Sequence, residues 1–159
     1  SGRPFDATHV KPRWHRDTNR NVPDDVIRAL GECGGMLGFS LYPQHLSDGG
    51  ATSLATFCEM AARTAELIGS ENLGIGSDLC QGQPDSVVQW MRDGRWTNTR
   101  SDAVFPPQPA WFQNNRDWDG IAAGLRAVGF SQQEVDGVMG DNWLRFLEDT
   151  ITPELHDVQ

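Results

Sequence analysis

The sequence contains no apolar run near the roughly 20 residues that a membrane-spanning helix needs, and Ser1-Gly2-Arg3-Pro4 lacks the apolar region of a signal peptide. The expectation is a chain that is neither inserted in a membrane nor visibly exported, hence cytoplasmic. Cysteine is scarce: Cys33, Cys58 and Cys80 are an odd number, widely spaced and without C-x-x-C, which argues against a disulfide framework or a cysteine zinc cluster. They read as reduced, mostly core thiols. Positive charge is also short. Thirteen Lys and Arg face 22 Asp and Glu, a formal charge of −9, and such a surface repels a polyphosphate backbone, so no nucleic acid partner is expected. There is no H-E-x-x-H, no P-loop, no nucleophile elbow, no internal repeat and no low-complexity tract. Gly74-Ile75-Gly76 lacks the third glycine of a dinucleotide-binding turn.

What is present suits one soluble globular domain. At 159 residues with 38% hydrophobic and 22% charged side chains, the chain can bury a real core. Phe5 to Val10 predicts a brief strand ending near His9. Pro23-Asp24-Asp25 then opens a helix, because proline costs nothing in the first turn and two acids suit the positive end of the dipole. Val26, Ile27, Ala29 and Leu30 supply its apolar face, and Gly34-Gly35 stops it. Met36 to Tyr42 is almost continuously apolar, the pattern of a strand buried on both faces of a parallel sheet. Thr52 or Ser53 caps the clearest amphipathic helix, with Leu54, Phe57, Cys58, Ala61, Ala62, Ala65 and Ile68 on one stripe and Gly69 at its end.

Leu73 to Asp78 reads as a third buried strand whose glycines let a backbone or ligand approach. Strand, helix, strand, helix, strand argues for parallel β/α units with reactive groups at the carboxyl ends of strands. From Gln81 to Pro109 regularity fades, apart from a short helix at Asp85–Met91, and an ordered loop of that length usually has a function. Helices follow over Asp117–Val128 and from the capping box Ser131-Gln132-Gln133-Glu134, the latter interrupted at Gly140 and resumed to about Asp149. The tail after Pro153 is expected to fray.

His9, Arg20 and Asp78 are the candidate site. A histidine at a strand end can ligate a metal, an arginine can clamp a carboxylate with two parallel hydrogen bonds, and an aspartate can carry a proton or hold an ammonium. Together they suit a zwitterionic ligand. Taken singly, each residue suits a structural role better, the arginine as a helix cap and the aspartate as a strand-end residue bonded to backbone N–H groups. His15, His45 and His156 sit in polar, loop-like sequence and read as surface residues. Trp14, Trp90, Trp96, Trp111, Trp118 and Trp143 read as core or loop packing.

Thr8-His9, Arg20-Asn21-Val22-Pro23-Asp24-Asp25, Gly34-Gly35-Met36-Leu37-Gly38, Gly74-Ile75-Gly76-Ser77-Asp78 and Gly140-Asp141-Asn142-Trp143-Leu144-Arg145, in that order, resemble the carboxyl half of the renal (membrane) dipeptidase family of zinc metallopeptidases. The resemblance implies an α/β fold, a partial (β/α)8 TIM-type barrel of the amidohydrolase type matching strands six to eight with their helices. It implies a carboxyl-terminal half over residues 1–150 and a frayed tail over 151–159. It also implies zinc, two ions in the complete family site, with His9 as the one metal ligand this chain supplies. Arg20 would bind the dipeptide substrate's terminal carboxylate, and Asp78 would handle the proton near the leaving amine. The implied chemistry is attack of metal-bound hydroxide on the scissile carbonyl.

The departure from the family is as informative. The amino-terminal His-x-Asp, the bridging glutamate, the substrate-polarising histidine and the other ligand histidine have no counterpart, and one ligand cannot hold two zinc ions. The chain alone is expected to be inactive and to need an amino-terminal half or a homo-oligomer partner. The alternative is a non-catalytic α/β binding or assembly module derived from the barrel, whose open sheet edges invite pairing with another chain.

Overall fold

Glycine, proline and short polar side chains set the element boundaries, and the apolar stripes then decide which faces meet. The computed structural model of the protein describes residues 5–93 and 102–151. Trp96, His156 and the tail expected after Pro153 lie outside them. The first half runs β1 (Asp6–Val10), α1 (Asp24–Glu32), β2 (Met36–Phe39), α2 (Leu54–Ile68) and β3 (Leu73–Ile75). The second half is helical: α3 (Asp85–Arg92), α4 (Trp118–Ala127), α5 (Gln132–Asp136) and α6 (Asn142–Ile151). No described helix is long and apolar enough to cross a membrane.

The three strands form one parallel sheet in the order β1-β2-β3, with Leu37 opposite Leu73 and Phe39 opposite Ile75. All four residues of β2 are buried, as its unbroken apolar run predicts. Phe39 packs edge-on against Phe57 of α2, ring centroids 5.9 Å apart, and the aromatic contact continues through Trp111 and Phe112 to Trp118. On the other face a Cβ at Gly38 or Gly74 would run into the Trp143 indole from α6. The two glycines make the space that one tryptophan fills.

The helix signals behave as local chemistry dictates. Gly34 adopts φ +71°, and the Gly34 and Gly35 N–H groups donate to Gly31 and Leu30 carbonyls, a Schellman end for α1. Ser53 caps α2 by accepting from the Thr56 N–H at 3.1 Å. The Ser131–Glu134 capping box forms in full, and the helix breaks at Gly140 before α6. Asn142, buried there, donates to the Ser70 and Leu73 carbonyls at 2.9 and 2.8 Å and so ties α6 to β3.

Three expectations are corrected. Val26 is 42% exposed because it falls off the Ile27–Leu30 stripe. The strand expected over 36–42 stops at Phe39, where the Ser40 hydroxyl accepts the Tyr42 N–H and bends the chain into a single turn at Pro43–His45. Beyond Ile75 the expected strand gives way to irregular backbone, although the Gly76 N–H still donates to the Phe39 carbonyl.

Candidate functional site at the strand carboxyl ends

Parallel strands put their carboxyl ends on one side of the sheet, and a cleft of about 450 Å³ opens there. His9, Arg20 and Asp78 all line it, so the three residues singled out from the sequence come together. Tyr42, Cys80 and Arg92 share the polar lining, and Val88, Met91 and Phe105 form an apolar wall.

His9 owes its direction to an irregularity in β1. Ala7 pairs with Leu37 and Val10 with Phe39, so β1 carries one residue more than β2 across Thr8-His9. Such a bulge re-aims a side chain at the end of a strand. The Thr8 carbonyl is turned toward Gly38 and Gly76, where a Cβ would collide with it. The Thr8 Oγ1 lies 2.8 Å from His9 Nδ1. With the proton on Nδ1 directed at that hydroxyl, Nε2 keeps the lone pair a metal takes.

Arg20 sits on the loop from β1 to α1, which several bonds pin down. The Val22 N–H donates to the Lys11 carbonyl at 2.9 Å and the Arg13 N–H to the Val22 carbonyl at 2.7 Å. The buried Asn21 amide donates to the Arg16 carbonyl, and the Arg16 guanidinium to the Leu46 carbonyl at 2.6 Å. The Arg20 guanidinium itself is exposed in the cleft, with no ion pair among the described residues. Asp78 is the only described non-glycine residue with positive φ, +54°. Left-handed backbone is uncommon outside glycine and tolerated by aspartate; here it follows Ser77, whose carbonyl accepts the Leu41 N–H at 3.0 Å.

Two histidines read as surface residues are interior. His45 is 7% exposed, with Nδ1 2.8 Å from the Ser40 hydroxyl. Burial pulls its pKa down to about 4, with Arg20, Lys11 and His9 adding in the same direction and Asp78 opposing. His15 is half-buried, and its Nε2 accepts the Ser47 N–H. Burial lowers it to about 4 as well, helped by Lys11 and Arg16 and opposed by Asp48. Lys11 is an unusual buried group. It is fully buried, its Nζ has no hydrogen-bond partner among the described residues, and it stands 4.8 Å from the centre of the Phe57 ring. Burial drives its pKa well below the ordinary lysine value.

Sequence reasoning missed Tyr42, Cys80 and Arg92. Tyr42 falls at the end of the strand expected over 36–42, Cys80 reads as a core thiol although it is exposed, and Arg92 stands just beyond a helix expected to stop at Met91. The available signal was amphipathic: Val88 and Arg92, one turn apart on α3, share the face turned to the cleft.

Metal fit depends on the donor count. Among the described residues no three His, Cys, Asp or Glu side chains converge where a metal could be held. A catalytic zinc generally takes three protein ligands, so the donors present do not make a zinc site by themselves; they fit one imidazole corner of one.

Comparison with known proteins agrees on kinship. The family model for membrane dipeptidase (peptidase family M19) matches residues 1–93. The dipeptidase aclJ of Aspergillus oryzae is 40% identical over 63 residues, 38% of this chain and 15% of that protein. An amidohydrolase from Pseudomonas aeruginosa superposes with a TM-score of 0.82 at 22% identity, over 94% of this chain and 46% of that one. A metallopeptidase from Rhodobacter sphaeroides, liganded with a phosphinate mimic of L-Ala-D-Ala, gives 0.72 at 19% identity, over 94% and 37%. The chain thus spans less than half the length of these relatives. At such identities the two structures speak for a shared α/β fold with a parallel sheet.

Proposed function

Because this chain belongs to the membrane dipeptidase family, peptidase family M19, we propose that residues 1–150 are the carboxyl-terminal half of a zinc-dependent dipeptidase. In this reading β1, β2 and β3 are strands six to eight of a (β/α)8 barrel, and residues outside the chain supply the other half. His9 contributes one ligand to the metal centre. Arg20 takes the substrate's terminal carboxylate through two parallel N–H···O bonds, fixing the dipeptide's orientation. Asp78 accepts and returns a proton at the amine that leaves. The single observation that supports this is the gathering of His9, Arg20 and Asp78 in one cleft at the strand carboxyl ends. Family barrels keep their chemistry on that face.

The test is complementation. The chain is co-expressed with an amino-terminal half that carries the missing His-x-Asp, glutamate and histidines, and dipeptide hydrolysis is assayed with zinc. Activity that falls at least tenfold in Arg20→Met supports the reading, since a charge-assisted bond contributes about 1.5–3 kcal/mol. A folded, zinc-loaded complex without hydrolysis ends it.

An assembly module is the second reading, favoured by the apolar stripe that α6 exposes: Leu144, Leu147 and Ile151 are 58%, 45% and 69% accessible. A tight homodimer in size-exclusion chromatography, without bound metal, would favour it over the enzyme.

A further inference from the structure

Arg92 is the one charged group in the cleft for which a plain dipeptide has no counterpart. A zwitterion places its carboxylate on Arg20 and an amine near Asp78, which accounts for one cation and one anion of the lining. Arg92 is then a surplus positive charge. It is half-buried at the last turn of α3 and forms no ion pair or hydrogen bond among the described residues. Four other arginines are occupied: Arg16 bonds the Leu46 carbonyl, Arg126 the Gln132 amide, Arg145 the Glu71 carbonyl, and Arg63 lies 3.9 Å from the Trp14 ring centre; Arg20, Arg28 and Arg116 also lack such a partner among the described residues but are exposed. A partly desolvated guanidinium without a counter-anion is unfavourable, and a carboxylate met through its two-pronged donor set relieves that.

The surroundings say what would bring the anion. Arg92, Arg20 and Asp78 line the same cleft, and its apolar wall comes from Val88, Met91 and Phe105. That wall is held together by the Phe105 N–H, which donates to the Asp85 carboxylate in the first turn of α3 at 2.9 Å. An aliphatic stem along the wall, ending in a negative group, matches both features.

We propose that Arg92 determines specificity, selecting dipeptides with an acidic side chain by binding the side-chain carboxylate while Arg20 holds the main-chain one. This rests on the dipeptide reading of the cleft. Glutamyl side chains fit the stem-and-charge pattern better than aspartyl ones, because the extra methylene lies along the apolar wall.

Calorimetric titration of the full chain, with chelator present so that no turnover intrudes, compares Ala-Glu and Glu-Ala with Ala-Gln and Gln-Ala. These pairs differ by a charge at constant shape. In the wild type at least one acidic member binds about tenfold tighter than its amide isostere, the size of one charge-assisted bond. Arg92→Gln abolishes that preference and leaves the amide affinities unchanged. Arg92→Lys, which keeps the charge but not the fork, retains part of it. Each variant's thermal midpoint is checked against the wild type. Acid and amide bound within twofold of each other, or a preference that survives Arg92→Gln, overturns the proposal while leaving the dipeptide cleft intact. If none of the four dipeptides binds the wild-type chain, this proposal has failed, while the dipeptide reading stands or falls by the complementation assay.

Discussion

Acid should loosen this protein through a buried histidine in the turn after β2. His45 is 7% exposed and held near a pKa of about 4, chiefly by burial, whereas an unfolded histidine titrates near 6.5. Between those values the unfolded chain binds the proton and the native one does not, so stability falls as pH drops from 6.5 toward 4. At pH 5, about 1.5 units below 6.5, the unfolded state gains roughly 2 kcal/mol at about 1.4 kcal/mol per unit. That is a large share of the roughly 5–15 kcal/mol that holds such a domain together. His15 pulls in the same direction, although its half-exposed ring is partly screened by solvent. The comparison with His45→Asn removes its contribution. Asparagine can still meet the Ser40 hydroxyl but cannot titrate. Urea unfolding at pH 8 and pH 5, followed by tryptophan fluorescence, gives both stabilities. The wild type should lose about 2 kcal/mol more than the variant across that interval. The absolute stability of the variant is also expected to drop, since it forgoes the edge contact with Tyr42 at 5.3 Å, but this cancels in the pH difference. Equal pH dependence in the two proteins refutes the burial argument.

Lys11→Met should raise stability at neutral pH, because it replaces a buried amine that has no hydrogen-bond partner among the described residues by an apolar side chain of similar length. Burial holds the native amine's pKa well below 10.5, so between the two values the unfolded chain binds a proton that the native one does not, and wild-type stability climbs as pH rises toward 10.5; unfolding curves at successive pH values up to 10 should show that climb vanish in the variant. Gly74→Ala forces a methyl group against the Trp143 indole and should cost about 1–3 kcal/mol, read as a lower Tm in calorimetry. Ser131→Ala removes the capping box of α5 and should cost about 1 kcal/mol, with the cleft's ligand affinity unchanged.

Local signals proved the most legible. The helix starts at Pro23-Asp24, Ser53 and Ser131 and the stops at Gly34 and Gly69 are written in neighbouring residues, and they stand where short-range chemistry puts them. The apolar run of β2 announces a central buried strand, and two strand-exit residues, His9 and Asp78, together with Arg20 ahead of a helix start, stand out as one candidate site. The resemblance carried by those blocks reached the family as well. Local pattern can do this because a cap, a turn or an alternation is complete within a few residues.

What the tertiary structure alone decided depends on contacts between residues far apart in the chain. His45 looked solvent-exposed because its neighbours in sequence are polar, yet Ser40 and Tyr42 fold over it and take away its water. Nothing beside Lys11 in the sequence says that Phe57 will cover its amine, or that Trp143 will occupy the space left by Gly38 and Gly74. The extra residue in β1 that turns His9 is defined only against the register of β2. Arg92 joins Arg20 in one cleft lining only through the packing of α3 in the folded chain. Sequence determined which elements form and which residues are chemically capable, since those follow from local conformation; burial, and with it charge state and company in the cleft, belongs to the packed chain.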